Sequence, residues 1–261
     1  SYFLHTHTHT HTQKKKHFCW GNRIGLITGA ANGTGRQIAL SFAPLGAPLA
    51  LWDIDEEGNK ERSRLARKNG AKRVFAYHCD CSSREEVYEQ ANKVRREVGD
   101  VTILINNASI LLAKKFCVLE IDFLIFDISS CIGIYVSLTC KAFLPAMITC
   151  NHRHLASVAS AAGFLGAYRM TDYSGSKCAV IGMMEAFNSE LYHTRKHSIK
   201  TTIICPSFVK TELARGFQTQ NQLLLPVYDA EHITSKIMDA IQKEKLHLLM
   251  PLILRFFGLK M

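Results

Sequence analysis

None of the nine cysteines is spaced C-x-x-C from another, so neither a zinc ribbon nor a thioredoxin-like redox pair is indicated. Cys79 and Cys81 flank an aspartate, a spacing that suggests neither chemistry. The start has no apolar h-region of the kind a signal peptide carries. Reduced thiols in a reducing compartment are therefore expected, most of them buried as small hydrophobes. Long uncharged apolar runs are also missing. The stretch from 117 to 138 is interrupted by Asp122 and Asp127, which argues against a membrane span. Acidic residues are in deficit, 22 against 32 Lys and Arg, for a net charge of +10. That balance suits a solvated basic face, an anionic membrane surface or nucleic acid. No nucleic-acid motif accompanies it, so a membrane surface ranks above nucleic acid.

Residues 1–20 read as a tail outside the fold. His5 to Thr12 alternate His and Thr, as a CA dinucleotide repeat translated in one frame would, and no structure or metal is assigned to them. The run Lys14, Lys15, Lys16 accounts for part of the net charge. Beyond it, an apolar content of 47% with 21% charged residues fits a globular chain with a true core. No linker or repeat divides it, so one domain is expected over 21–250.

The pattern after Trp20 alternates strands and helices. "RIGLIT", "APLALWDID", "KRVFAYHCD" and "VTILINNA" read as buried strands. "GRQIALSFAPLG", "EEGNKERSRLARKNG" and "SREEVYEQANKVRREVG" read as the helices between them. Gly70 stands at a C′ position, and Ser82 or Ser83 caps the third helix. "RHLASVAS" and "IKTTIICPS" are two further strands. This is the pattern of βαβ units, and predicts an α/β fold with one doubly wound, mostly parallel sheet of six to seven strands. Residues 117–138 are expected to hold a helix despite poor helix formers. The apolar end "LHLLMPLILRFFGLKM" either lies in a membrane interface or forms a helix closing a substrate pocket; 251–261 is set apart as its own segment.

Four motifs carry chemistry. "TGAANGTGR", Thr28 to Arg36, lies between a strand and a helix. Gly29, Gly33, Thr34 and Gly35 are its phosphate-binding candidates, because glycine permits a tight turn and close backbone approach to a pyrophosphate. Asp53 ends the second strand, where a carboxylate accepts both hydroxyls of an adenosine ribose and repels a 2′-phosphate, favouring NAD over NADP. Its alternative is capping the next helix, a role Asp55 shares; Arg36 weakens the preference by offering a partner to a 2′-phosphate. Asp80, after the third strand, either holds the adenine amino group or caps a helix. Asn106, Asn107 and Ala108 end the fourth strand, where backbone would pass under the adenosine. Ser160 closes a strand thirteen residues before Tyr173, and Lys177 lies four residues beyond it, one helical turn on. An unperturbed phenol titrates at about 10, too high for a base at neutral pH, and a neighbouring ammonium stabilises its phenolate.

Together with "PSFVKT" after the sixth strand, these motifs resemble the short-chain dehydrogenase/reductase family over about residues 21–250. "LWDID", "HCDCS", "KAFLPAM" and "KTTIICP" are similar to its family 16C, a membrane-bound branch of retinol and hydroxysteroid dehydrogenases. The resemblance implies a single Rossmann domain and hydride transfer between NAD(P) and a lipophilic alcohol or carbonyl compound. It implies Ser160, Tyr173 and Lys177 as catalytic residues. Tyr173 and Lys177 would also touch the cofactor, with Asp80 at the adenine, Asn107 beneath the adenosine and Thr211 at the carboxamide. It implies a homodimer and a cytosol-facing place on the endoplasmic reticulum membrane or lipid droplets. The alternative is a catalytically impaired nucleotide-binding relative. That reading rests on a missing asparagine: no Asn occurs between Asn107 and Asn151, and the family's relay position falls on Ile132, or on Ser129 or Ser130 in a shifted alignment. Ser109 and Ser207 stand where the family has glycine, and the His–Thr repeat stands where this branch has an apolar anchor.

Overall fold

The computed structural model describes residues 20–111, 134–150, 153–214 and 225–257. Its strands are β1 (Gly25–Thr28), β2 (Leu49–Asp53), β3 (Val74–His78), β4 (Ile103–Asn106), β5 (Arg153–Val158), β6 (Ile199–Pro206), β7 (Phe208–Val209), β8 (Val227–Tyr228) and β9 (His247–Met250). The helices are α1 (Gly33–Phe42), α2 (Glu56–Lys68), α3 (Arg84–Glu97), α4 (Ile134–Cys150), α5 (Thr171–His193), α6 (Ala230–Gln242) and the single turn α7 (Leu254–Phe257). Seven strands form one sheet in the order β3-β2-β1-β4-β5-β6-β9, and every pairing is parallel. β7 and β8 form a separate two-stranded ribbon.

The apolar runs explain the layering. Strands buried on both faces need side chains that are apolar at successive positions. Leu26, Trp52, Leu104 and Leu155 face one core with Val87, Phe143 and Met184 from α3, α4 and α5. Ile27, Leu51, Ile105 and Ala156 face the other with Ile38, Ala66 and Ile237 from α1, α2 and α6. Adjacent residues thus point to opposite helical layers. Strand order reverses between β1 and β4, and a parallel sheet of this type binds ligands beyond its carboxyl edge at that point.

Local chemistry sets the boundaries. Asp55 caps α2 by accepting from Gly58 N at 2.9 Å, while Gly70 takes a positive φ of 100° just past its end. Ser83 caps α3 by accepting from Glu86 N at 3.2 Å. The C-terminal apolar run differs from the helix expected over the pocket. Its first part is β9, which pairs with β6 and so covers an edge that would otherwise expose unpaired backbone groups. Among the described residues beyond it only α7 is helical, and Leu252, Ile253 and Phe256 are exposed. Of residues 117–138, only 134–138 lie within the described residues, as the first part of α4.

The start of the interior strand β5 holds a buried imidazole. His154 Nε2 lies 2.8 Å from Thr202 Oγ1, and Thr202 donates to Lys245 O at 2.7 Å. Since Thr202 spends its proton there, it accepts from Nε2–H. Burial, aided by the charges of Arg23 and Lys200, pushes the His154 pKa down to about 3. The unfolded chain binds a proton below its ordinary value near 6.5, and the folded chain does not until about 3. Folding stability is therefore expected to fall as pH drops through that window, by up to about 1.4 kcal/mol per pH unit from this residue. Urea unfolding of the wild type and His154→Gln at several pH values checks this: the variant loses that part of the slope.

Candidate active site

The glycine turn joins β1 to α1. Gly29 and Gly33 have φ of 65° and 55°, in the left-handed region that favours glycine. A Cβ at Gly35 would lie 2.0 Å from Gly29 O, so α1 packs directly onto the turn. Among the described residues, a Cβ at Gly33 would come within 4 Å of the Thr211 side chain alone, at 3.5 Å. Asn32 precedes α1 in extended conformation and makes no side-chain capping bond. The first N–H groups of a helix have no intrahelical partner. Here they are left for an anion at the positive end of the helix. The turn therefore fits a pyrophosphate.

Two braces hold the turn. Thr28 Oγ1 accepts from Asn107 N and Ala108 N, both at 3.0 Å. Asn107 Nδ2 donates back to Thr28 O at 3.0 Å and Gly29 O at 3.1 Å. On the other side, Asp53 Oδ2 accepts from Ala31 N at 2.8 Å and Oδ1 from Asp55 N at 2.9 Å. Asp53 is thus fixed by backbone and does not cap α2. Asp80 does not cap α3 either: Oδ1 accepts from Ser82 N at 2.8 Å and Ser82 Oγ at 2.7 Å. Its own N–H donates to Glu86 Oε2 at 2.9 Å.

Ser160 follows β5 and is 8% exposed. Its Oγ accepts from Ala162 N at 3.1 Å and donates to Pro206 O at 3.5 Å. α5 begins at Thr171, which places Tyr173 in its first turn and Lys177 one turn later. Lys177 is 1% exposed. Its Nζ donates to Val158 O at 2.8 Å and stands 5.3 Å from the centre of the Tyr173 ring. A buried ammonium is costly unless it is bonded, so the β5 carbonyl anchors this charge beside the phenol. Burial holds the nearby Cys205 thiol up at about 12, even against the Lys177 charge, so it stays a neutral thiol.

Gly29, Gly33, Thr34, Asp53, Asp80, Asn107, Ser160, Tyr173, Lys177 and Thr211 all line one cavity of about 400 Å³. Gly35 lies behind the turn and shapes it from beneath. Ile132, Ser129 and Ser130 lie outside the described residues, as does the His–Thr repeat. Sequence reasoning missed Gly163, where a Cβ would lie 2.9 Å from the backbone carbon of Lys177. Its absent side chain lets the segment after Ser160 press against the helix carrying Lys177. The signal was present as a glycine three residues after the serine.

A dinucleotide cradle, a buried lysine against a tyrosine and a serine on the same wall define a nicotinamide-dependent oxidoreductase. Residues 23–222 match the family described as short chain dehydrogenase. The chain belongs to that family. It is 48% identical to epidermal retinol dehydrogenase 2 of Mus musculus over 235 residues, covering 89% of this chain and 75% of that protein. It is 37% identical to estradiol 17-beta-dehydrogenase 11 of Macaca fascicularis over 227 residues, 85% of this chain and 72% of that one. A short chain dehydrogenase/reductase from Burkholderia phymatum, solved in complex with NAD, superimposes with a TM-score of 0.82 at 25% identity, covering 93% of this chain and 94% of that one.

Proposed function

We propose that the chain interconverts a lipophilic alcohol and its carbonyl compound, of the retinol or hydroxysteroid class, with NAD in preference to NADP. The observation that carries this reading is Lys177 Nζ, anchored to Val158 O and set against the Tyr173 ring in the cavity that holds the glycine turn. Ile110, Leu111, Leu165, Met170, Phe208 and Leu225 give that cavity an apolar wall suited to a lipophilic molecule. The printed names of the two relatives, a retinol dehydrogenase and an estradiol dehydrogenase, support the substrate class.

A nicotinamide ring bound there supplies hydride transfer. Tyr173 takes the alcohol proton in oxidation and returns it in reduction. Lys177 stabilises the phenolate form. Ser160 hydrogen-bonds the substrate oxygen and sets its angle. Thr211 meets the carboxamide, Asp80 the adenine and Asp53 the ribose hydroxyls. Purified protein supplied with NAD and all-trans-retinol or estradiol is expected to form NADH. No turnover with either, from protein that binds NADH, overturns the reading.

The preference for NAD rests on Asp53. A carboxylate held by Ala31 N and Asp55 N cannot swing away from a 2′-phosphate. Asp53→Asn removes the charge and keeps an acceptor for the loop. It is expected to lower the NADH-over-NADPH affinity ratio by about 10–100-fold, the worth of one like-charge contact near a surface. Fluorescence titration of both cofactors measures it.

The same reading places the chain at a lipid surface, the endoplasmic reticulum membrane or a lipid droplet. No helix among the described residues is long and apolar enough to cross a membrane. Support comes from Tyr168, Leu213, Leu252 and Phe256, large apolar side chains that are exposed. Leu213 also lines the cavity.

A further inference from the structure

The corner between β6 and β7 ties three segments together. Pro206 ends β6, and its carbonyl accepts from Ser160 Oγ at 3.5 Å. The N–H of the same peptide unit belongs to Ser207 and donates to Met250 O at 2.7 Å, at the end of β9. The Ser207 side chain reaches a third segment: its Oγ donates to Pro226 O at 2.5 Å. Proline has no N–H, so the carbonyl is the one backbone group by which Pro226 is held through a hydrogen bond. Pro226 also favours extended backbone at Leu225 before it. Beyond it, β8 runs beside β7, with Phe208 paired to Val227 and Val209 to Tyr228, and Lys210 N donates to Tyr228 O at 2.9 Å. A two-stranded ribbon this short is marginal in water. The Lys210 Nζ–Asp229 Oδ1 ion pair adds little, because both side chains are more than half exposed. The Ser207 bond is partly buried and joins the segment to the strand end that meets Ser160. Ser207, Phe208 and Leu225 line the cavity together with Ser160 and Tyr173. Neither an alanine nor the glycine that the family has at this position makes the bond.

We propose that Ser207 is a positioning residue for the substrate. Its hydroxyl, bonded to Pro226 O, fixes Leu225 and with it a part of the apolar wall that receives the body of a lipophilic alcohol. This rests on the reading that the cavity takes such an alcohol. Both ends of the substrate are then referred to one strand end. The oxygen meets Ser160, which Pro206 O helps to aim, and the apolar body meets Leu225, placed through Ser207. Loss of the Ser207 hydroxyl leaves Ser160, Tyr173 and Lys177 in place and loosens the wall. It therefore weakens substrate binding more than turnover or cofactor binding.

The experiment compares the full chain as wild type, Ser207→Ala and Ser207→Thr. Ser207 is not among the residues with positive φ, so alanine adopts its backbone without strain. All-trans-retinol is titrated by fluorescence into protein saturated with NADH, a pair that cannot exchange hydride, and amide hydrogen exchange is followed by mass spectrometry. For Ser207→Ala the dissociation constant for retinol is expected to rise about 3–10-fold, the worth of one hydrogen bond. The peptide carrying the Lys210 amide exchanges faster, because Tyr228 O is no longer held against it. In retinol oxidation with NAD, KM rises while kcat changes by less than about twofold, the pattern of lost uniform binding. Ser207→Thr keeps the hydroxyl and keeps the retinol affinity of the wild type. Equal retinol affinity in wild type and Ser207→Ala overturns the proposal, as does unchanged exchange at Lys210. NADH affinity that falls as far as retinol affinity, or a Ser207→Thr variant as weak as Ser207→Ala, makes Ser207 a general support of the fold and overturns it too. Wild-type protein that binds retinol without oxidising it overturns the dehydrogenase reading alone, since binding and exchange are read without turnover. Wild-type protein that binds no retinol overturns both.

Discussion

Tyr173→Phe is expected to lower kcat/KM for retinol or estradiol oxidation by about 10²–10⁴-fold, the usual worth of a positioned general acid–base. The variant deletes one oxygen and leaves the ring that Lys177 Nζ faces at 5.3 Å. Lys177 remains anchored to Val158 O, so the helix and the buried charge stay in place. The loss therefore falls on proton transfer. NADH affinity is expected to stay within about tenfold of wild type, since at most one hydrogen bond to the cofactor is removed. Steady-state rates and an NADH titration on the same preparation separate the two effects. Equal rates in wild type and variant would remove Tyr173 from the mechanism. A loss confined to NADH binding would make it a structural residue of the cofactor site.

What the sequence disclosed depended on how far apart the interacting residues lie. The glycine turn and the Tyr173–Lys177 pair are local: one needs positive φ within a few residues, the other one helical turn. Both show in short spacings, and the alternation of apolar runs with helical patterns disclosed six of the seven strands and the doubly wound parallel sheet they build. The brace between Thr28 and Asn107 did not show, because its partners are 79 residues apart and neither residue type is unusual at a strand end. The final strand was obscured for a different reason. "LHLLM" carries neither a two-residue nor a 3.6-residue period, and only the unpaired edge of β6 decides its conformation.

Gly35→Ala is expected to reduce NADH affinity by about 100-fold or more while most of the sheet remains folded. A single methyl there would lie 2.0 Å from Gly29 O and 2.4 Å from Asn107 Nδ2. Both are fixed atoms: the carbonyl belongs to a turn with φ of 65°, and the amide donates to Thr28 O and Gly29 O. Real Cβ atoms do not approach that closely, so α1 must move away from the turn or the turn must open. Either movement displaces the N–H groups that meet the pyrophosphate, and misplaced donors in a desolvated site are lost in full. Gly33→Ala is the informative contrast. Among the described residues its Cβ meets only Thr211, at 3.5 Å, so the backbone contacts survive. Its cost is the left-handed φ of 55°, about 1–2 kcal/mol for a residue with a side chain, together with a methyl in the phosphate path. Thermal unfolding with and without NADH distinguishes them. Gly35→Ala lowers the melting point and abolishes the NADH-induced rise. Gly33→Ala lowers it less and keeps part of that rise. If Gly35→Ala binds NADH as wild type does, the close packing of α1 on the turn is not what shapes the cofactor cradle.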